Sequence, residues 1–176
     1  MNEVIAQKFA TAGVWDLEPD QKSFIHAGLR CELRRGPVGA WCGYVGVDEA
    51  HPWFGKHYDA VVDGVPPENA TIAELGVMSA LFSGQDIDDV NRRAPICLLV
   101  PCHEGLTYAN KGSHIEPDSK LWWFGFDCSH SGDLSPKSII SFDDDVYRDI
   151  EYATAATRKA AEAISFAASN LVREAA

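Results

Sequence analysis

The sequence predicts an α+β fold, in which a small, mostly antiparallel sheet packs against a long C-terminal helix and carries an inserted helical segment. Three observations lead to this prediction. Short runs of apolar and aromatic residues fill the first two thirds of the chain, turn-forming residues separate these runs, and the C-terminal stretch repeats apolar residues at helical spacing. The length of 176 residues suits one core, so a single domain over 1–176 is predicted.

Four runs have the character of strands. Residues 24–33 alternate apolar and polar side chains around Gly28, which predicts a strand pair or a bulged strand. The run 41–47 combines aromatic and β-branched residues with glycines, as a closely packed buried strand does. The short apolar runs 95–100 and 122–127 predict two further strands, which would complete the sheet.

Two segments show helical spacing. Apolar residues between 72 and 82 recur at intervals of three and four, so the segment 66–93 is predicted to form an inserted helical cover. The same spacing continues from Asp143 to the C-terminus and predicts a helix over 143–172. The acidic triplet 143–145 would then begin this helix, where each carboxylate stabilises the free amides by about 0.3–1 kcal/mol. This position explains the triplet better than a metal site does.

Composition excludes several classes of function. Fifteen basic and twenty-six acidic residues give a formal charge of −11, which opposes phosphate backbones, so direct nucleic-acid binding is not expected. No apolar run is long enough to span a bilayer and the N-terminus lacks signal-peptide features, so we expect a cytoplasmic protein without membrane contact. Five scattered cysteines without a CxxC pair indicate reduced thiols rather than disulfides or a zinc ribbon.

The segment 122–133 is the most informative part of the sequence, because an aromatic strand leads directly into ionisable side chains. Asp127, His130 and Asp133 offer two carboxylates and an imidazole, a mixture that suits Mg²⁺, Mn²⁺ or Zn²⁺, or an acid/base pair without metal. Strand alternation turns Cys128 to the other face, so it is predicted to pack in the core. The structural alternative is that Asp127 caps a turn and His130 satisfies a backbone carbonyl.

Two further segments supply candidate site residues. His103 follows an apolar run and is a candidate general base, unless its segment is only a hairpin that turns at Gly105. The loop 51–58 carries aromatic and basic groups that suit a planar or anionic ligand, or else packs against the sheet as an aromatic clip. The ligand-binding candidates are Tyr44, His51, Lys56, Tyr58, Thr107 and Tyr108.

Three motifs together resemble a family of proteins from bacteriophages and prophage-bearing bacteria. They are WCGYVGV with the HP and GK pairs that follow it, HEGLTY from His103, and WWFGFDCSHSGD from Trp122. The likeness runs from Trp15 to Tyr152. At Glu104 the chain departs from the family pattern, which has Gly there, and this change adds a charge beside His103. The resemblance implies a phage-linked protein of the host-cell cytoplasm and implies no particular activity.

Three functional interpretations remain open. The leading one is metal-assisted or acid/base hydrolysis of a small phosphorylated or nucleotide-like molecule. In it Asp127, His130 and Asp133 hold a divalent ion, His103 moves the proton, and Lys56 offsets anionic charge. The second is a non-catalytic phage accessory protein that inhibits or sequesters a host defence component by binding a ligand or a protein. The third is a structural phage component, and the placement of His103 relative to His130 bears on the choice.

Overall fold

The computed structural model of the protein describes residues 13–64, 71–76, 93–112 and 118–174. A five-stranded antiparallel sheet packs against a long C-terminal helix, which confirms the predicted α+β fold. The sheet has the strand order β1-β2-β3-β7-β6, and β4 and β5 pair separately. The strands are β1 (Gln21–His26), β2 (Leu29–Arg35), β3 (Trp41–Val47), β4 (Val61–Asp63), β5 (Arg93–Pro95), β6 (Tyr108–Lys111) and β7 (Trp122–Asp127). The helices are a 3-10 turn (Val14–Leu17), α1 (Ile72–Leu75), α2 (Ile96–Leu99) and α3 (Ile150–Glu174).

Strands β1 and β2 form a hairpin, as the alternation over 24–33 indicates. Its turn consists of Ala27 and Gly28, with φ angles of 50° and 79°. Positive φ at both central residues is typical of the tight hairpin turn whose twist matches that of paired strands. The turn sets the register, with Phe24 opposite Cys31.

Helix α3 lies on the sheet face to which Gly43 of β3 belongs. A Cβ at Gly43 would collide with the hydroxyl of Thr157 and would stand 2.5 Å from the ring of Phe126. The helix is therefore able to approach β3 closely because this position lacks a side chain. Its buried face repeats at helical spacing, as predicted, through Ala153, Thr157, Ala160 and Ile164. Among the described residues, no helix is both long and apolar enough to cross a membrane.

The prediction that α3 begins at Asp143 is wrong, because the helix begins at Ile150. Val146 forms a parallel bridge with Asp133, and its carbonyl accepts a hydrogen bond of 2.9 Å from the N–H of Leu134. This pairing keeps the chain extended before the helix. The cap is Asp149, whose Oδ1 accepts a bond of 2.8 Å from the N–H of Tyr152.

The segment 95–100 also differs from its predicted strand. β5 ends at Pro95, and the next four residues form α2, all of them buried. A short run that is apolar on every side gives no periodicity by which a strand and a helix are told apart. Of the predicted inserted cover, the structure describes α1 and the adjoining residues, while 66–70 and 77–92 lie outside the described residues.

The cysteines are packing residues. All five are free thiols, and four of them are buried. Burial raises the pKa of Cys102 and of Cys128 well above the ordinary thiol value, so both are neutral and unreactive. Cys128 therefore occupies the core, as predicted, and contributes no ligand atom to the neighbouring cluster.

Candidate functional site

Three segments that are far apart in sequence meet beside the sheet. They are the loop that follows α2, the turn that follows β7, and the chain around the start of α3. Their meeting point contains His103, His130 and Asp133, whose potential ligand atoms all lie within 4.8 Å of one another. The rings of His103 and His130 meet edge to face with centroids 5.5 Å apart. The structure thus brings together one residue from the second motif and two from the third.

Backbone hydrogen bonds on both sides fix the position of His103. The N–H of Cys102 donates to the carbonyl of Glu74 at 2.9 Å, and the N–H of Glu104 donates to that of Ala73 at 2.7 Å. Both acceptors belong to α1. The short described part of the predicted insertion therefore positions the His103 loop, and the imidazole itself is almost fully buried.

A tight turn fixes His130 relative to Asp133. The N–H of Asp133 donates to the carbonyl of His130 at 3.0 Å, and the N–H of His130 donates back to Asp133 Oδ2 at 3.1 Å. Gly132, with a φ of 90°, supplies the left-handed conformation that closes the turn. The bridge to Val146 then holds the turn against the chain that leads into α3. The Asp133 side chain is consequently only 2% exposed.

The carboxylate of Asp133 is the centre of the cluster. Its Oδ2 accepts a hydrogen bond of 2.7 Å from His103 Nε2, and its Oδ1 accepts one of 2.8 Å from Arg148 Nε. Burial by itself would raise the pKa of Asp133, but the hydrogen bonds from His103 and Arg148 outweigh it and lower that pKa overall. The group is therefore a carboxylate at neutral pH, with a cation on one side and an imidazole on the other.

The two imidazoles have different surroundings. His103 uses both ring nitrogens, since Nδ1 lies 2.8 Å from the hydroxyl of Tyr152 while Nε2 contacts Asp133. His130 has a buried Nδ1 for which no hydrogen-bond partner exists among the described residues. That nitrogen lies 3.9 Å from Asp133 Oδ2. A buried ring nitrogen without a partner is uncommon, and it indicates a place for a proton, a water or a metal ion.

His103, and not Asp127, is the third member of the cluster with His130 and Asp133. Both oxygens of Asp127 are occupied outside the cluster: Oδ1 accepts from the N–H of Ser129 at 3.1 Å and from its hydroxyl, and Oδ2 accepts from the Thr107 hydroxyl at 3.3 Å. Asp127 thus caps the turn after β7, which was the structural alternative. The predicted set of Asp127, His130 and Asp133 is corrected to His103, His130 and Asp133.

The candidates in the loop 51–58 have other roles. His51 is buried, donates from Nε2 to the carbonyl of Ile164 at 3.0 Å, and accepts at Nδ1 from the N–H of Trp53 at 3.1 Å. Burial lowers its pKa, so it is a neutral residue that ties the loop to α3. Tyr58 packs against the core, and Lys56 is exposed. The loop 51–58 is therefore the aromatic clip that was the alternative to a ligand-binding loop.

Tyr44 and Tyr108 form a pair on the sheet. They occupy positions opposite Gly125 on the two strands that flank β7, and their rings meet edge to face with centroids 5.4 Å apart. A Cβ at Gly125 would stand 2.6 Å from the Tyr44 ring, so the glycine makes room for the pair. Strand alternation from Gly43 puts Tyr44 on the face away from α3.

The sequence did not reveal Arg148 and Tyr152, which complete the cluster. Arg148 contacts Asp133, Tyr152 contacts His103, and the guanidinium carbon lies 5.0 Å from the centroid of the Tyr152 ring. Their spacing of four residues was the available signal, because a helix over 143–172 would put both side chains on one face.

No protein-family model, no curated protein and no solved structure matches this chain. The fold and the cluster define an α+β protein with a buried His/Asp group of metal-binding composition. The geometry of that group is the feature that bears on function.

Proposed function

We propose that the protein is a metal-dependent hydrolase of a small phosphorylated or nucleotide-like molecule, with a zinc ion bound by His103, His130 and Asp133. The observation that carries the proposal is the approach of three ligand groups to within 4.8 Å of one another. Two imidazoles and one carboxylate, with a further position left for water, are the composition of many catalytic zinc sites. Imidazole nitrogen also favours zinc over magnesium or calcium, which prefer oxygen.

The distances between the ligand groups are close to those that zinc requires. Two atoms bound to one tetrahedral zinc ion stand about 3.4 Å apart, given metal–ligand distances of about 2.0–2.1 Å. The separation of His103 Nε2 from Asp133 Oδ2 is 2.7 Å, and that of His130 Nδ1 from Asp133 Oδ2 is 3.9 Å. These values lie on either side of the required distance. Bringing both to it takes a movement of about 0.7 Å between the buried His103 and Asp133 side chains and one of about 0.5 Å by the half-buried His130.

Tyr152 supports His103 in the role of a ligand. When the imidazole Nδ1–H donates to the Tyr152 hydroxyl, the lone pair of Nε2 points towards Asp133 and towards the proposed ion. Such an outer hydrogen bond is what fixes the ring and tautomer of a metal-binding histidine. In the metal-free protein a proton occupies the space between His103 and Asp133, and zinc binding displaces it. His103 is thus a ligand in this proposal and not the free general base that its sequence position suggested.

The chemistry follows from the ion and its open position. A zinc ion held by His103, His130 and Asp133 would lower the pKa of a bound water to about 7 and so would supply hydroxide at neutral pH. The hydroxide oxygen would bond to phosphorus while the bond from phosphorus to the leaving oxygen breaks. The leaving group takes up a proton from water, and the products are phosphate and an alcohol. Asp133, held as a carboxylate by its hydrogen bonds, offsets part of the charge of the ion.

Zinc binding and turnover test this proposal together. We expect the wild-type protein to bind one zinc ion by calorimetry and to hydrolyse p-nitrophenyl phosphate only when zinc is present. His130→Ala should weaken zinc binding by at least about tenfold and abolish turnover, because it removes the ligand with the unpartnered nitrogen. His57→Ala is the matched control, since His57 is an exposed histidine paired with Asp59. Absence of zinc binding in the wild type, or equal binding by His130→Ala, would refute the proposal.

A second candidate function rests on a different surface and fits the resemblance to phage proteins. Ile139, Ile140 and Phe142 are 86%, 68% and 66% exposed, and the acidic triplet 143–145 follows them directly. An exposed apolar patch beside negative charge suits a partner protein that presents apolar and basic side chains together. In this case the chain is a phage accessory protein that binds a host protein in the host cytoplasm.

Peptide binding distinguishes this second candidate from the first. A peptide that alternates leucine and lysine should bind the wild type in fluorescence anisotropy, and a leucine–glutamate peptide should not. Replacing Ile139, Ile140 and Phe142 together by serine should abolish the binding and leave zinc binding unchanged. Binding of both peptides alike, or no loss in the triple variant, would rule out this surface as the binding site.

A further inference from the structure

Arg148 is held at one end of its guanidinium group. Its Nε donates to Asp133 Oδ1 at 2.8 Å, which fixes the plane of the group next to the three potential metal ligands. The guanidinium carbon also lies 5.0 Å from the centroid of the Tyr152 ring, which supports one face of the group. A guanidinium held by both contacts has lost most of its rotational freedom before any ligand arrives.

The other end of Arg148 is open. In the part of the chain that the structure describes, neither terminal nitrogen has a hydrogen-bond acceptor or an ion-pair partner. The side chain is 30% exposed, whereas that of Asp133 beside it is 2% exposed. Arg148 therefore connects the buried carboxylate with solvent and presents the four N–H donors of its two terminal nitrogens at the outer edge of the cluster.

The charges at this edge favour an anion. With zinc bound and both histidines neutral, the ion and Arg148 together carry three positive charges against the negative charges of Asp133 and the neighbouring Glu104. The whole chain carries a net charge of −11 and repels anions in general. A local excess of positive charge at this edge therefore indicates a site for an anionic ligand. A planar fork of N–H donors matches two oxygens of one phosphate, and a neighbouring metal ion polarises the same group.

We propose that the terminal nitrogens of Arg148 bind the phosphoryl oxygens of the substrate and so favour phosphate esters over neutral esters. This inference rests on the proposed function and adds to it a substrate class and a residue that contacts the substrate. The bond from Nε to Asp133 orients the fork, and the terminal nitrogens contact the phosphate next to the metal-bound water. A neutral ester has no charged oxygens for the guanidinium group to bind, so Arg148 should not strengthen its binding.

Arg148→Lys tests the inference, with phosphate binding and turnover as separate measurements. Lysine keeps the charge and one contact to Asp133 but loses the fork. We expect this variant to bind zinc within about twofold of the wild type and to bind inorganic phosphate about ten- to hundredfold more weakly. The KM for p-nitrophenyl phosphate should rise, and hydrolysis of p-nitrophenyl acetate should not change. Arg93→Lys is the matched control, because Arg93 Nε faces Asp63 Oδ1 at 3.4 Å in the separate sheet.

The outcomes separate this inference from the proposed function. Equal phosphate affinity in Arg148→Lys and wild type would overturn the role of Arg148 and leave the zinc site standing. Absence of zinc binding in the wild type would overturn the proposed function, and the phosphate titration of the metal-free proteins would still decide whether Arg148 binds the anion. Circular dichroism shows whether Arg148→Lys folds. If it does not fold, Arg148→Gln, which keeps a side-chain N–H donor for Asp133 and loses the fork, should bind inorganic phosphate at least about tenfold more weakly, and wild-type phosphate affinity in that variant would overturn the role of Arg148.

Discussion

Glu104 shows how a single residue can carry backbone strain beside the cluster. Its φ is 52°, in the left-handed region, and Gly105 follows with a φ of 84°. A residue with a Cβ is disfavoured there by about 1–2 kcal/mol, whereas glycine adopts the region freely. Glycine at this position would be free of that strain.

Replacing Glu104 by glycine should therefore stabilise the protein. Relief of the strain exceeds the additional backbone entropy that glycine loses on folding, and we expect a gain of about 0.5–1 kcal/mol in the free energy of unfolding. Urea denaturation measures it. Glu104→Ala is the control, because it removes the carboxylate and keeps the Cβ. A gain of the same size in Glu104→Ala would assign the effect to charge and contradict the account.

At this scale the sequence predicted the residue types of the site better than their grouping. His103, His130 and Asp133 were all candidates, because chemically capable side chains follow apolar runs. Asp127 was an equally good candidate by type, and only the hydroxyl groups around it show that it caps a turn. Arg148 acquires its role from the long-range contact with Asp133. A contact between distant segments leaves no local pattern in a single sequence.

Among the elements, the contact between β3 and α3 depends on the absence of a side chain at Gly43. We expect Gly43→Ala to lower the free energy of unfolding by about 1–3 kcal/mol, because the new methyl group would collide with Thr157 and Phe126. Gly36→Ala is the control, since its nearest neighbour is the flexible Cys42 sulfur at 3.3 Å. Equal stability of both variants in urea denaturation would mean that α3 does not lie close against β3.

Glu18 connects three elements of the fold through its carboxylate. Its Oε2 accepts hydrogen bonds from Arg35, Trp41 and Tyr147 at 2.8, 2.9 and 2.6 Å, and its Oε1 accepts from the N–H of Ile150 at 3.0 Å. Burial would raise the pKa of Glu18, but the hydrogen bonds and the charge of Arg35 lower it overall. One carboxylate thus joins β2, β3 and the first residue of α3.

This arrangement predicts how stability depends on pH. Because the pKa of Glu18 is lower in the folded state, its contribution is present above the unfolded-state value of about 4.3 and is lost as the pH falls through the folded-state value. Glu18→Gln should cost about 2 kcal/mol at pH 7, and the difference from wild type should shrink below pH 4. Chemical denaturation across this pH range measures it, with the exposed Glu151→Gln as control. A difference that does not vary with pH would contradict the assignment to Glu18.

The elements themselves were largely predictable. Alternation of apolar and polar residues indicated the hairpin. Apolar, β-branched and aromatic residues indicated the strands at 41–47 and 122–127. The run at 95–100 is apolar throughout and formed α2, and the start of α3 was set by the pairing of Val146 with Asp133. Local periodicity contains no information about such pairing, which arises between separate segments.

At the scale of the whole molecule, the fold turns three unrelated loops into one site. The sheet and α1 hold the His103 loop, the end of β7 leads into the His130 turn, and the start of α3 brings in Arg148. Each segment is fixed by backbone hydrogen bonds before its side chains meet. The backbone around the cluster is accordingly well fixed, and side-chain movements alone would bring the three groups to the geometry of a metal site.

The proposed zinc site should also stabilise the whole fold, because zinc would bind the folded cluster and not the separated segments. At a zinc concentration about one hundredfold above the dissociation constant, the free energy of unfolding should rise by about 2.7 kcal/mol. Thermal denaturation with and without zinc measures this effect. His130→Ala should show no such rise, and an equal rise in that variant would mean that the ion binds elsewhere.

The most direct test of the central claim is a crystal of the protein soaked in zinc and measured at the zinc absorption edge. The account predicts one anomalous peak about 2.0–2.2 Å from an imidazole nitrogen of His103, an imidazole nitrogen of His130 and a carboxylate oxygen of Asp133. The hydrogen bond of 2.7 Å between His103 and Asp133 should open to accommodate the ion. No peak among these three residues, with that hydrogen bond intact, would contradict it.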